Sequence, residues 1–166
     1  MPGAGKTTLG KKLAIKYQLE FIDSDQYIES KCKMSISSIF SMFGEKAFRD
    51  IEKTVLNEIL KKDDFVLATG GGTPCFFDNM EQIIKNTISV YLKMPAGAIA
   101  NRLTNSKKKR PLVADKTDEQ VLEYAQETLS TREKFYELAN YCIDTINTDP
   151  NLIFEQIWNS NISQSK

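Results

Sequence analysis

The opening residues of the chain carry a pattern that can bind phosphate. A match to the second half of the loop G-x-x-x-x-G-K-[ST], at the start of a helix, is formed by Gly3, Ala4, Gly5, Lys6, Thr7 and Thr8. Glycines let successive backbone N–H groups converge on phosphate oxygens, and a helix N-terminus adds favourable partial charge. Lys6 would then reach the β and γ phosphates of a nucleotide, and the Thr7 hydroxyl would ligate Mg²⁺. The alternative is a glycine-rich turn that only caps a helix.

Two carboxylates follow the first predicted strand. Asp23 and Asp25 end the segment FIDSD, and side chains at i and i+2 of a strand share one face. That face opens into the ligand crevice at the carboxyl edge of an α/β sheet. With no histidine in the chain, Asp25 is the candidate to orient or accept the proton of an attacking hydroxyl, and Asp23 can hold Mg²⁺ or its water. The alternative is a turn with a helix N-cap ahead of QYIES.

An arginine and a glycine run suggest an anionic ligand. Arg49 and Glu52 lie three residues apart on one helical face, so the carboxylate can steady the guanidinium for bidentate binding of a second anion. An ordinary surface ion pair is the alternative. The run Gly70, Gly71 and Gly72 directly follows a predicted strand, where backbone without side chains lets a ligand ring approach closely.

Further cations come from two later segments. Residues 105–117 are polar, basic and contain Pro111, which predicts a loop long enough to act as a lid. Arg110 in this lid and Arg132 in the segment TREKFY add two cations from separate segments. A lid arginine can close over phosphate and neutralise charge that develops in phosphoryl transfer. For residues 107–109 a solvated basic run is the simpler interpretation.

The strands and helices that must position these residues are predicted to form an α/β fold. Short apolar runs alternate with amphipathic stretches, which indicates βα units on a parallel sheet. Strands are predicted at residues 20–23, 64–69, 88–93 and 141–145. Helices are predicted at residues 6–17, 35–42, 46–61, 77–85, 95–104, 118–139 and 152–158. We expect a single domain over residues 1–166, with a frayed tail at residues 159–166.

The phosphate loop begins without the strand that normally delivers it. The first glycine of the motif would fall immediately before Met1, so we expect the opening strand to be missing from this chain. A misplaced start or a fragment is the preferred explanation, and a natural truncation with impaired folding is the alternative. Because that strand is central in such folds, its loss leaves two neighbouring strands with unpaired backbone groups.

Composition narrows the function classes. The 166 residues contain 22 Lys plus Arg and 22 Asp plus Glu, so the chain has no bulk positive field that would attract nucleic acid or a membrane. It contains no histidine, which excludes catalytic triads and zinc sites that depend on histidine. Three separated cysteines predict reduced thiols. Without a long apolar run or a signal-peptide pattern, we expect a cytoplasmic protein that binds no nucleic acid and no membrane.

The set GAGKTT, FIDSD, FRDIE, ATGGG, KRPLV and TREKFY, in this order, resembles the shikimate kinase family over nearly the whole chain. The resemblance implies a P-loop, nucleoside-monophosphate-kinase-like three-layer fold with parallel strand order 2-3-1-4-5, a substrate-binding region at about residues 25–61 and a mobile lid. It also implies transfer of the γ-phosphoryl of ATP, with Mg²⁺, to the 3-hydroxyl of shikimate on the route to chorismate and the aromatic amino acids.

The resemblance implies a role for each motif. Residues 3–8 bind ATP phosphates, Thr7 ligates Mg²⁺ with Asp23 in its outer shell, and Asp25 binds the shikimate hydroxyls. Arg49 and Arg132 grip the shikimate carboxylate. Glu52 steadies Arg49, and Arg110 bridges ATP and the transferred phosphoryl group. The substrate contacts Gly70, Gly71 and Gly72, and its ring packs against Phe40 and Phe48. Adenine contacts residues 145–150, including Pro150. Arg102 stands near the place of an adenine-stacking arginine of many relatives.

Two alternatives stay open from the sequence. Another small-metabolite P-loop kinase, such as a gluconate kinase, shares the phosphate loop and lid but has no need of Arg49, Arg132 and the glycine run. A truncated, non-catalytic kinase-like module would bind nucleotide without turnover. A monomer is the default expectation, since no periodicity exposes a dimer face.

Overall fold

Parallel strands and intervening helices alternate along the chain, as the sequence pattern predicts. A computed structural model describes residues 1–105, 116–146 and 149–162. Its strands are β1 (Glu20–Asp23), β2 (Phe65–Ala68), β3 (Val90–Lys93) and β4 (Tyr141–Asp144). All four predicted strands are confirmed, three of them one or two residues shorter than predicted because the flanking residues leave the ladder.

The helices of the described residues also follow the prediction closely, with three differences. They are α1 (Lys6–Tyr17), α2 (Ser24–Cys32), α3 (Ile36–Ile59), α4 (Asn79–Asn86), α5 (Ala96–Thr104), α6 (Asp118–Tyr136) and α7 (Pro150–Ile162), with a 3₁₀ turn at Thr73–Cys75. The sequence did not predict α2. The two helices predicted at residues 35–42 and 46–61 are joined in α3. Helix α7 continues to Ile162, four residues past the predicted end at Trp158, and the frayed tail stays a prediction.

Helix α2 begins because Asp23 caps it. The Asp23 side chain accepts hydrogen bonds from the backbone N–H groups of Asp25 and Gln26, which satisfies two of the donors that a helix N-terminus leaves open. Asp25 therefore lies in the first turn of α2 and not on a strand, so the interpretation based on strand alternation is wrong. Only Ser24 and Ile28 of this helix are buried, and so narrow an apolar stripe gives little periodic signal.

Helix α3 changes direction at one residue. Gly44 has φ 79° and ψ 172°, a conformation that residues with a Cβ adopt only at a cost. The predicted break between residues 42 and 46 is therefore real in backbone geometry. The segment after Gly44 carries Glu45, Arg49 and Glu52 along one face of the helix.

The strands form two parallel pairs. Glu20 of β1 pairs with Phe65 of β2, and Val90 of β3 pairs with Tyr141 of β4. Each pair has its own apolar cluster. Helices α2 and α3 pack with β1 through Ile22, Ile28, Ile39, Val55 and Ile59. The second cluster joins β3 and β4 to α5 and α6, through Leu92, Ile99, Leu103, Ala125 and Ile143.

A cavity of about 610 Å³ separates the two pairs. Residues 65–69 line it along the whole of β2, and residues 89–92 line it along most of β3. Successive strand residues point to opposite faces, so a cavity lined by consecutive residues lies along the strand edges. No strand of the described residues pairs with β2 or β3 on this side, which confirms the expected gap in the sheet. Among the same residues, no helix is long and apolar enough to cross a membrane.

Candidate functional site

The first residues form a tight loop that leads into α1. Gly3 and Gly5 have φ values of 79° and 91°, in the left-handed region that glycine adopts without strain. Gly5 is the N-cap of α1 and brings no capping side chain to the helix start. The Ala4 side chain is buried in the core and Thr8 is exposed. The loop therefore has the backbone geometry of an anion cradle at a helix N-terminus.

A cationic group lies beside this loop. The Lys6 ammonium donates a hydrogen bond to the Met1 carbonyl at 2.7 Å. Burial lowers the pKa of the Met1 α-amino group well below its usual value, and the nearby Lys6 and Arg132 charges lower it further. The positive charge of Lys6 next to a helix N-terminus makes the region favourable for an anion.

The phosphate loop is linked to the end of β1 by a hydroxyl and a carboxylate. The Thr7 hydroxyl donates to Asp23 Oδ2 at 3.0 Å. Both are hard oxygen donors of the kind that Mg²⁺ prefers, and Mg²⁺ commonly takes only one or two protein ligands beside nucleotide phosphates and water. Within the described residues no cluster of three acidic, cysteine or histidine side chains forms a dedicated metal cage. The pair fits a magnesium ion that phosphate oxygens also hold.

Asp25 is a carboxylate with a raised pKa. Burial is the main cause, the charges of Asp23 and Glu52 add to it, and the Lys6 charge opposes them. Asp25 also lies against the glycine loop, because a Cβ on Gly70 would come within 2.7 Å of its Oδ1 atom. A carboxylate in this setting has a greater tendency to accept a proton than an ordinary exposed one.

Arg49 is held by two carboxylates. Its Nη1 donates to Glu52 Oε2 at 2.8 Å, and its Nε and Nη2 donate to Glu45 Oε1 at 3.2 and 2.9 Å. The Glu52 side chain is 2% exposed, whereas that of Glu45 is 59% exposed. Thr73 fixes Glu52 from the other side by donating to its Oε1 at 2.6 Å. Glu52 thus steadies Arg49 as predicted, and Glu45 is a contact that the sequence analysis missed despite its i,i+4 spacing.

Aromatic rings surround the Arg49 guanidinium. Its Cζ lies 3.9 Å from the centre of the Phe76 ring, 5.1 Å from Phe48 and 6.0 Å from Phe40. Phe40 and Phe48 also contact each other, with ring centres 4.6 Å apart. Rings at these distances hold a cation by its interaction with their faces. The closest of the three rings, Phe76, was not predicted because nothing in its local sequence indicates that it faces α3.

The glycine loop is fixed by side chains of the protein itself. The Gly70 N–H donates to Ser24 Oγ at 2.8 Å, and the Tyr136 hydroxyl donates to the Gly71 carbonyl at 2.6 Å. A Cβ on Gly71 would meet Pro2 at 3.0 Å, and one on Gly72 would meet Arg49 Nη1 at 2.7 Å. The sequence predicted that glycines here let a ligand approach closely. The structure adds a second role, because the absence of side chains also lets Asp25, Pro2 and Arg49 come close to the loop.

Arg132 lies on α6, one helical turn before Tyr136, whose hydroxyl donates to the Gly71 carbonyl. Burial raises the pKa of the Cys75 thiol, and the charges of Arg132 and Arg49 both act on that thiol in the opposite direction. Helices α3 and α6 both pack against the 3₁₀ turn that contains Cys75, which agrees with both arginines lying on this side of the glycine loop.

The remaining predicted residues lie beside the phosphate loop, at the start of α7 or outside the described residues. Arg110 and most of the predicted lid lie within residues 106–115, which the structure does not describe, and so do residues 147–148 of the predicted adenine loop. Pro150 begins α7. Arg102 lies beside the phosphate loop, since a Cβ on Gly5 would be 3.5 Å from its Nη1.

Sequence comparison identifies the family that this chain resembles. A family profile described as shikimate kinase matches residues 2–161. The shikimate kinase of Bacteroides fragilis is 42% identical over 146 residues, which are 87% of this chain and 82% of that protein. The shikimate kinase of Azobacteroides pseudotrichonymphae genomovar. CFP2 is 46% identical over 139 residues, 83% of this chain and 82% of that one.

Solved structures share the overall fold. The crystal structure of shikimate kinase from Bacteroides thetaiotaomicron superposes with a TM-score of 0.86 at 33% identity, covering 99% of this chain and 94% of that one. Shikimate kinase from Acinetobacter baumannii in complex with shikimate superposes with a TM-score of 0.82 at 38% identity, covering 98% and 89%. Both agree with an α/β fold of the P-loop type.

Proposed function

This chain belongs to the shikimate kinase family, and on that premise we propose that it transfers the γ-phosphoryl group of ATP to the 3-hydroxyl of shikimate. The observation that carries the proposal is that Asp25 and Arg49 lie against Gly70 and Gly72 of the glycine loop, while α6, which carries Arg132, reaches the same loop through Tyr136 and Gly71. Shikimate presents a carboxylate to one side and hydroxyls to the other. Two guanidiniums match the carboxylate, and a single carboxylate matches the hydroxyls.

The nucleotide end of the site is the loop before α1. The amides of Gly3 to Thr8 hold the β and γ phosphates of ATP, aided by the positive end of the helix. The Lys6 ammonium exchanges its hydrogen bond with the Met1 carbonyl for a phosphate oxygen. Charge that develops on the transferred group is thereby neutralised by a fixed cation.

Mg²⁺ belongs to the same proposal. Thr7 would hold it directly and Asp23 would hold it through water, since these two side chains lie together with a 3.0 Å contact. When bound, the ion neutralises phosphate charge and fixes the phosphate geometry.

Asp25 orients the attacking hydroxyl. The 3-hydroxyl donates its hydrogen bond to an Asp25 oxygen, the hydroxyl oxygen forms a bond to the γ phosphorus, and the bond to the β–γ bridging oxygen breaks as ADP leaves. The proton passes to the Asp25 carboxylate. Phosphoryl transfer has a loose transition state that needs little base strength, so alignment of the hydroxyl is the larger contribution.

The outer parts of the site complete the proposal. The substrate-binding region comprises residues 25–61, and residues 105–117 form a lid whose Arg110 bridges ATP and the transferred group. Residues 145–150 contact adenine together with Arg102. We place the enzyme in the cytoplasm as a single-domain monomer, where the three free thiols stay reduced.

A coupled assay of ADP release tests the function. Shikimate should be turned over with ATP and Mg²⁺, whereas gluconate should not. Arg132→Ala should raise the shikimate KM strongly. Lys134→Ala removes a cation two positions further along the same helix and should not change it. Turnover of gluconate alone would replace the proposal with another metabolite kinase, and ATP binding by folded protein without any turnover would favour a non-catalytic module.

A further inference from the structure

Glu45 occupies the part of Arg49 that a substrate carboxylate needs. Its Oε1 atom accepts from both Nε and Nη2 of the guanidinium, at 3.2 and 2.9 Å. These two nitrogens form one of the parallel donor pairs through which arginine binds a carboxylate side-on. In the ligand-free protein that donor pair is therefore already holding an anion.

The rest of the guanidinium is enclosed by groups that do not exchange easily. Nη1 donates to Glu52, which is itself 2% exposed and bound by Thr73. The Phe76 ring lies 3.9 Å from Cζ, and a Cβ on Gly72 would be only 2.7 to 3.0 Å from Nη1, Nη2 and Cζ. An incoming carboxylate thus has its simplest access at the Nε and Nη2 positions.

Glu45 differs from Glu52 in how easily it can leave. Its side chain is 59% exposed, so water can solvate its carboxylate once the ion pair opens. It also directly follows Gly44, the non-helical residue of α3, at the beginning of the helical segment that carries Arg49. An exposed carboxylate at a segment end is a weak partner, whereas the buried Glu52 is a permanent one.

We propose that Glu45 is an internal stand-in for the carboxylate of the substrate, which shikimate must displace from Arg49 before it binds productively. The exchange keeps two carboxylates on one guanidinium, so the charge of the site stays balanced before and after binding. It also disfavours uncharged ring compounds, because they would remove Glu45 without replacing its charge. This inference rests on the proposed function.

The test is the shikimate Kd of Glu45→Gln, measured by calorimetry. Loss of the competing carboxylate should tighten shikimate binding by about two- to fivefold, the range expected for an exposed ion pair, and the ATP Kd should not change. Asp50→Asn is the matched control, because it removes the same charge from an exposed position of α3 and should leave the shikimate Kd as it is.

Three results would overturn the inference. Unchanged shikimate affinity in Glu45→Gln would mean that the contact does not compete. Weaker affinity would make Glu45 a positioning residue that stays on Arg49 in the complex. Equal tightening in Asp50→Asn would indicate general electrostatic attraction. Wild-type protein that fails to bind shikimate at all would instead contradict the proposed function.

Discussion

Arg49 combines a buried partner with an exposed one. Glu52 and Phe76 hold the guanidinium in place, and its remaining donors bind the exposed carboxylate of Glu45. Such preorganisation lowers the entropy that a bound carboxylate would otherwise cost. The geometry of the fork, in addition to its charge, is therefore expected to matter for substrate recognition.

Arg49→Lys tests that geometry. The change keeps the positive charge and loses the planar fork, so we expect the shikimate KM to rise about 10- to 100-fold, as for loss of a hydrogen bond to a charged group. The ATP KM should change much less. Steady-state kinetics with each substrate varied in turn measures both constants, and equal changes in the two would contradict the assignment.

Asp25→Asn should have opposite effects on activity and stability. Loss of the proton acceptor should lower kcat by about 10²- to 10⁴-fold. The raised pKa of Asp25 means that its charged form is disfavoured in the folded state, so the neutral amide should raise the Tm at pH 7. Activity assays and thermal unfolding measure the two effects, and a lowered Tm would contradict the raised pKa.

The pH dependence follows from the same shift. Because the folded-state pKa of Asp25 lies above its unfolded value, the folded protein binds the proton more tightly. Its contribution to the free energy of unfolding therefore rises as the pH falls through the folded pKa, and levels off below the unfolded value of about 3.9. The activity should also fall as the pH drops through the folded-state pKa of Asp25, because the protonated carboxyl group can no longer accept the proton of the substrate. Asp25→Asn should lack this component of both profiles.

At the scale of elements, α3 depends on Gly44. The residue keeps the segment with Phe40 at an angle to the segment with Phe48 and Arg49, so that both rings lie beside the guanidinium. A positive φ at this point is the local cause of the bend. The helix–turn geometry thus contributes directly to the wall of the site.

Gly44→Ala should destabilise the protein by about 1 to 3 kcal/mol, because positive φ combined with ψ near 180° is a backbone region essentially restricted to glycine. Nothing lies within 4 Å of the added methyl group, so any loss comes from backbone strain. Gly97→Ala is the control, because Gly97 lies inside α5 with equally open surroundings. The free energy of unfolding of Gly97→Ala should be about 0.5 to 1 kcal/mol higher than that of the unchanged protein. Chemical denaturation of both variants measures the difference, and losses of equal size would show that φ is not the cause.

At the scale of the molecule, a gap separates β2 from β3. Two parallel pairs face each other across about 610 Å³, and their inner backbone edges lack a ladder partner among the described strands. Met1 lines this cavity next to the phosphate loop. Any strand that filled the gap would support both the sheet and the loop that holds the nucleotide.

An apolar segment of five residues fused ahead of Met1 should raise the Tm. Each new backbone hydrogen bond contributes about 0.5 to 1.5 kcal/mol, and each kcal/mol corresponds to roughly 2 to 4 °C at this chain length. We expect a rise of about 5 to 10 °C by calorimetry. A control extension with two prolines cannot complete the ladder, and an equal rise with that control would contradict strand pairing.

The sequence alone determined the features that depend on neighbouring residues. The phosphate loop, the start and end of α1, the four strands and the break near Gly44 follow from local spacing, backbone preference and apolar periodicity. The partnership of Arg49 with Glu52 follows from helix geometry over three residues. Each of these signals lies within a few positions of the residue that it describes.

Only the tertiary structure decided which distant residues meet. Helix α3 brings Arg49 against Gly72, and α6, which carries Arg132, reaches Gly71 through Tyr136. A cap by Asp23 makes Asp25 a helix residue that still lies against Gly70. Phe76 and the buried amino group of Met1 gave no local signal. The physical reason is that these contacts depend on the order and spacing of strands and helices, which tertiary packing determines over and above local preference.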